Sequence, residues 1–63
     1  MKVTLPYDPN WTALTWAKAN CPSYITNDST YVTHVPTTIV GEYYINYYFG
    51  DDRDAAMFLL RWS

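Results

Sequence analysis

Three groups of side chains in this chain could do chemistry: Cys21 with His34, the aspartates Asp51, Asp52 and Asp54, and the tyrosines between Tyr43 and Phe49. A thiol beside an imidazole suggests nucleophilic catalysis. Such a pair needs a base in reach and a further group to orient that base. No glycine-rich elbow or oxyanion loop accompanies the two residues, and no convergent constellation surrounds them. The simpler reading makes Cys21 a small buried apolar residue just inside a helix end. His34 is then a strand residue near a proline turn. Sixty-three residues also leave little room for a walled pocket. An enzyme is not expected.

The aspartate cluster invites a metal reading. Metal loops carry more oxygen ligands at defined spacing, with a glycine-bearing turn inside the ligand run. That pattern is missing, and one cysteine with one histidine makes a zinc site a poor fit. The aspartates are instead expected to start a helix. Asp51 caps it, Asp54 three residues later completes a weak capping box, and Asp52 adds favourable charge near the positive end of the dipole. No metal or cofactor is expected.

The tyrosines allow two uses besides plain packing. Rings on a sheet face can stack bases of single-stranded nucleic acid. Such platforms sit in a basic surround, whereas Lys2, Lys18, Arg53 and Arg61 are scattered and the net charge is −2. The Lys/Arg-Gly-Phe/Tyr motif of sheet-face RNA readers is also absent. A protein partner fits better, because Tyr and Trp are enriched where interfaces concentrate their energy.

The elements that must position these groups follow from periodicity. Alternation places Tyr43, Ile45, Tyr47 and Phe49 on one strand face, read as the core face, and Tyr44, Asn46 and Tyr48 on the other. Gly50 breaks the strand. In the closing helix Ala55, Phe58, Leu59 and Trp62 fall on one apolar face. Ala56, Met57 and Leu60, interrupted by Arg53, fall on the other, to be covered by a loop, the first helix or another chain.

Earlier in the chain, Lys2–Leu5 reads as an edge strand ended by Pro6, with Val3 and Leu5 facing one way. Asp8-Pro9 reads as a cap followed by a first-turn proline, so a helix is expected from there to about Asn20, ended before Pro22. Ala13, Leu14, Ala17 and Cys21 cluster on its inner side, flanked by Trp11 and Trp16. Ser23–Thr30 is polar, and Asn27-Asp28-Ser29 reads as a turn. A strand is expected over Tyr31–Val35, joined by Pro36-Thr37 to an antiparallel strand from near Thr38, with a bulge or bend at Gly41.

The expected architecture is α+β, a single domain over 1–63 in the order β-α-β-β-α. It has a three-stranded, largely antiparallel sheet with two helices on one face. Its opposite face would show Tyr44 and Tyr48, with Val32 and His34 alongside. A core this small supplies only about 3–5 kcal/mol, so such chains lean on staples or self-association. Cys21 is the only cysteine, which rules out an internal disulfide. Aromatics at 19% then suggest large core rings together with a partner subunit. No signal peptide or membrane span is visible, so a cytosolic chain with a reduced thiol is expected. Asn10-Trp11-Thr12 and Asn27-Asp28-Ser29 match the glycosylation pattern without a secretory signal to make use of it.

The ending FGDDRDAAMFLLRW, Phe49 to Trp62, resembles the C-terminal strand-to-helix unit of small orphan proteins from tailed phages, especially marine cyanophages. There a strand and an acidic or polar turn precede Asp-Ala, an apolar run and Leu-Arg-Trp. The resemblance covers about the last quarter of the chain and carries no catalytic residues. It implies a phage or host origin. The implied roles are a small protein that binds and redirects a host protein, or a minor virion or assembly component.

The sequence thus leads to a non-enzymatic protein-binding module that forms homo-oligomers, with a nucleic-acid-facing platform as the competing class. Tyr44, Tyr48 and Trp62 are the expected anchors, followed by Met57 and Leu60.

Overall fold

A computed structural model describes residues 1–33 and 41–63. Its elements are β1 (Lys2–Pro6), α1 (Thr12–Asn20), β2 (Tyr24–Thr33), β3 (Gly41–Phe49) and α2 (Asp52–Trp62). The order is β-α-β-β-α, as the periodicity predicts. The sheet runs β1-β3-β2, with both pairings antiparallel. β1 and β2 are therefore parallel edges joined through α1, and β3 lies between them.

The most aromatic strand is thus the central one. Val3 and Leu5 pair with Tyr47 and Ile45, so their side chains share the helix-covered face. They join Phe49, Ala13, Ala17, Cys21, Ala55 and Phe58 in one core. Phe58 is its hub, with its ring centroid 4.7 Å from Tyr47, 5.1 Å from Phe49 and 6.3 Å from Trp16. Burying one such ring contributes about 2–3 kcal/mol, a large share for a chain this short.

Several expectations change. β2 starts at Tyr24, so Asn27-Asp28-Ser29 is strand and not a turn. The polar residues are tolerated because β2 is an edge with a solvated side, and β3 supplies the apolar contacts. The irregularity lies at Ile25, where the register shifts between Tyr24 and Thr26, while Gly41 pairs regularly with Thr33. The expected Val35 strand end, the Pro36-Thr37 connection, the strand start near Thr38 and His34 fall outside the described residues.

Helix α1 begins at Thr12 instead of Pro9. Asp8 still caps it, but across an intervening turn. Its carboxylate accepts from the Asn10 N–H at 3.2 Å and the Ala13 N–H at 3.0 Å, while its carbonyl accepts from the Trp11 N–H at 3.1 Å. Trp11, in the left-handed region with φ 54°, joins turn to helix.

Asp51 caps α2 as expected, accepting from the Arg53 N–H at 2.9 Å. Asp54 does not reach back as a capping box. Its carboxylate binds Ser23, and the Ser23 hydroxyl in turn accepts from the Asp51 N–H at 3.2 Å. This anchoring turns the buried stripe of α2 to Asp54, Ala55 and Phe58, with Trp62 half-buried beside them. Leu59 consequently lies outside the core at 44% exposure.

A last change concerns Tyr43, which is 55% exposed and not a core residue. Regular pairing with β1 ends at Tyr44, opposite Pro6, so Tyr43 lies past the covered part of the sheet.

Candidate functional site

The sheet face opposite the helices is organised around Asn46, which is buried although it points away from the apolar core. Its amide nitrogen donates to Asp28 Oδ1 at 2.7 Å and to Thr30 Oγ1 at 3.0 Å, and its carbonyl oxygen accepts from Thr4 Oγ1 at 2.7 Å. Asp28 Oδ2 accepts from the Tyr48 hydroxyl at 3.0 Å. One amide thereby links all three strands, with its hydrogen-bonding capacity largely used. Tyr44 is tethered in the same way, its hydroxyl donating to Glu42 at 2.7 Å.

These bonds determine what the face can do. Tyr44 and Tyr48 are half-buried, and their hydroxyls are held protonated to unusually high pH by the hydrogen bonds to Glu42 and Asp28, the adjacent charges adding to the effect. The face is a polar lattice whose carboxylates would repel phosphate. Lys2 stands at its margin, in a shallow cleft with Thr4, Thr30, Val32, Tyr44 and Asn46.

The other expected anchors lie elsewhere. Trp62 packs edge-on against Trp16 at 6.3 Å, under the Arg61 guanidinium at 4.5 Å. Met57 and Leu60 lie on the outer side of α2, Leu60 being 85% exposed. Tyr44 and Tyr48, Trp62, and the Met57–Leu60 stripe are therefore three separate places.

A different set of rings converges on the helix side of the sheet, past the regular end of β1. Tyr31 and Tyr43 are partners across β2 and β3, their rings edge-to-face at 4.8 Å. Tyr7 and Trp11 meet edge-to-face at 6.0 Å across the Asp8 turn. Tyr7, Trp11 and Tyr43 line a shallow cleft of about 390 Å³ with Ser29 and Ile45. Tyr7 and Tyr31 are each 49% exposed, so all three tyrosines combine ring packing with open surface.

Sequence reasoning missed this group because it separates into three segments. Counting outward from the expected Pro36-Thr37 connection sets Tyr31 opposite Glu42, one residue short of its actual partner Tyr43. Gly41 also belongs to the arrangement. A Cβ there would lie 2.6 Å from the Tyr31 ring carbon Cζ and 2.6 Å from the Val32 carbonyl oxygen. The missing side chain is what lets the Tyr31 ring lie across the strand.

Cys21 is buried at the end of α1, its Sγ 3.9 Å from the Asp54 carbonyl oxygen. Burial, with the Asp54 charge, pushes its thiol up and away from the reactive thiolate. Among the described residues no three His, Cys, Asp or Glu side chains gather as a metal site would require, and no helix is long and apolar enough to cross a membrane. No protein-family model, curated protein or solved structure matches the chain.

Proposed function

We propose that this chain is a non-enzymatic protein-binding module working through the aromatic surface of Tyr7, Trp11, Tyr31 and Tyr43. The observation that carries this is the pairing of Tyr31 with Tyr43, two half-exposed rings fixed against each other past the end of β1. Rigid aromatic anchors lose little conformational entropy on binding, which makes them effective interface residues. The phage resemblance of the C-terminal stretch favours a host protein or a second copy of this chain as partner. On that reading the action is steric occlusion or scaffolding.

A nucleic-acid platform has less support. The rings first suited to it, Tyr44 and Tyr48, are tied to the carboxylates of Glu42 and Asp28, whose charge repels phosphate.

Placing a photo-crosslinking phenylalanine analogue at position 43 in the native host tests the proposal. A protein adduct of defined mass is expected, either with another chain or with a copy of this one. Crosslinking to nucleic acid alone, or to nothing, would overturn it.

A further inference from the structure

A further cleft, of about 360 Å³, lies between the end of β1, the start of α1 and the end of α2. Leu5, Pro6 and Ala13 supply apolar wall, while Asp8, Thr12, Tyr47 and Trp62 bring polar groups. Two of these polar atoms are unpartnered. The Tyr47 hydroxyl and the Trp62 indole nitrogen are both buried without a hydrogen-bond partner, and Tyr47 as a residue is 0% exposed. Buried donors are almost always satisfied, so two orphans carried by residues that border one cleft call for an acceptor. Asp8 supplies the opposite function. Its carboxylate already accepts two backbone N–H bonds, and its two oxygens have lone pairs for more.

We infer that this cleft is a binding site for a secondary amide, the peptide unit of a ligand with a short apolar side chain. The amide carbonyl oxygen accepts from the Tyr47 hydroxyl and the Trp62 indole N–H. The amide N–H donates to the Asp8 carboxylate, and the apolar part packs on Leu5, Pro6 and Ala13. An anionic ligand is disfavoured by Asp8. A hydrocarbon would leave both donors unsatisfied. The Tyr31–Tyr43 surface takes no part in this site, so either proposal can fail alone.

The test is an NMR titration of the full chain with N-isobutylacetamide, followed at the Trp62 indole N–H, which a Trp62→Phe spectrum assigns. Isobutyl acetate, identical in shape but lacking the N–H, is the comparison ligand. A saturable shift is expected, with the ester about tenfold weaker for its one lost hydrogen bond. Tyr47→Phe keeps the ring that packs on Phe58 and is expected to weaken the amide about tenfold as well. Asp8→Asn is expected to narrow the amide–ester gap. If the amide leaves the Trp62 resonance unmoved, the proposal is overturned. Equal affinity for amide and ester would do the same, as would a nuclear Overhauser effect from a resident water to the indole N–H that the amide does not displace.

Discussion

Ser23 and Asp54 form a two-point clasp between the start of β2 and the first turn of α2. Asp54 Oδ2 accepts from the Ser23 N–H at 3.0 Å and from the Ser23 hydroxyl at 2.6 Å. These bonds hold the carboxyl below its ordinary value of 3.8, against the opposing effect of burial. The folded-state pKa is depressed, so the contribution is fully present above the unfolded-state value and is lost as pH falls through the folded-state value. Asp54→Asn is expected to lower the denaturation midpoint at neutral pH and to flatten its fall in acid below about pH 4. Urea unfolding across a pH series measures both effects. An unchanged acid limb would mean that the clasp does not contribute.

Asp28 receives one bond from Asn46 and one from Tyr48. Removing its carboxylate leaves part of the buried Asn46 amide without its partner, which costs about 1–3 kcal/mol. Asp28→Ala is therefore expected to destabilise by that amount although Asp28 itself is exposed. Asn46→Ala in the same background should add little, because the two changes remove one network. Chemical denaturation of the four members of this cycle would show the coupling.

Trp11 occupies the left-handed region at the entry to α1. Glycine adopts that conformation freely and is also the better helix cap, whereas alanine meets both penalties. Trp11→Gly and Trp11→Ala lose the same ring, so comparing them isolates the backbone. The glycine variant is expected to be the more stable by about 1 kcal/mol. Equal thermal midpoints would show that the backbone relaxes out of this conformation.

Gly41→Ala tests the aromatic surface without touching an aromatic residue. The added Cβ collides with the Tyr31 ring and with a strand carbonyl that cannot easily move. Overpacking of this kind costs about 1–3 kcal/mol, and displacement of the ring relieves part of it. Loss of ring-to-ring contacts between Tyr31 and Tyr43 in NMR spectra is expected, together with a lower crosslinking yield at position 43. Intact contacts would show that the ring does not depend on this glycine.

Much of the fold was legible in local pattern. Alternation in β1 and β3 identified Val3, Leu5, Ile45, Tyr47 and Phe49 as inward, because on a strand the facing follows directly from period two. The inner face of α1 and the Asp51 cap were readable for similarly local reasons. The candidate site was much less so. Tyr44, Tyr48, Met57 and Leu60 were chosen from exposed-face arithmetic, which locates a direction and not a neighbour, and Trp62 was taken from the inner apolar face of the closing helix.

Neighbours were decided only in three dimensions. Asn27-Asp28-Ser29 has turn chemistry by itself, yet Asp28 becomes a strand residue because Asn46 on β3 binds its carboxylate. The helical period of α2 suits Leu59 as well as Asp54, and the rotation was settled by Ser23, thirty-one positions away in sequence. The rings of Tyr7, Trp11, Tyr31 and Tyr43 have no common period at all. Chain reversal and strand register bring them together, and both are properties of pairing between distant segments. The sequence by itself determined which residues could be buried and which elements could form. The tertiary structure decided which polar groups found partners and where the aromatic surface opens, because those depend on distances between segments that local periodicity does not contain.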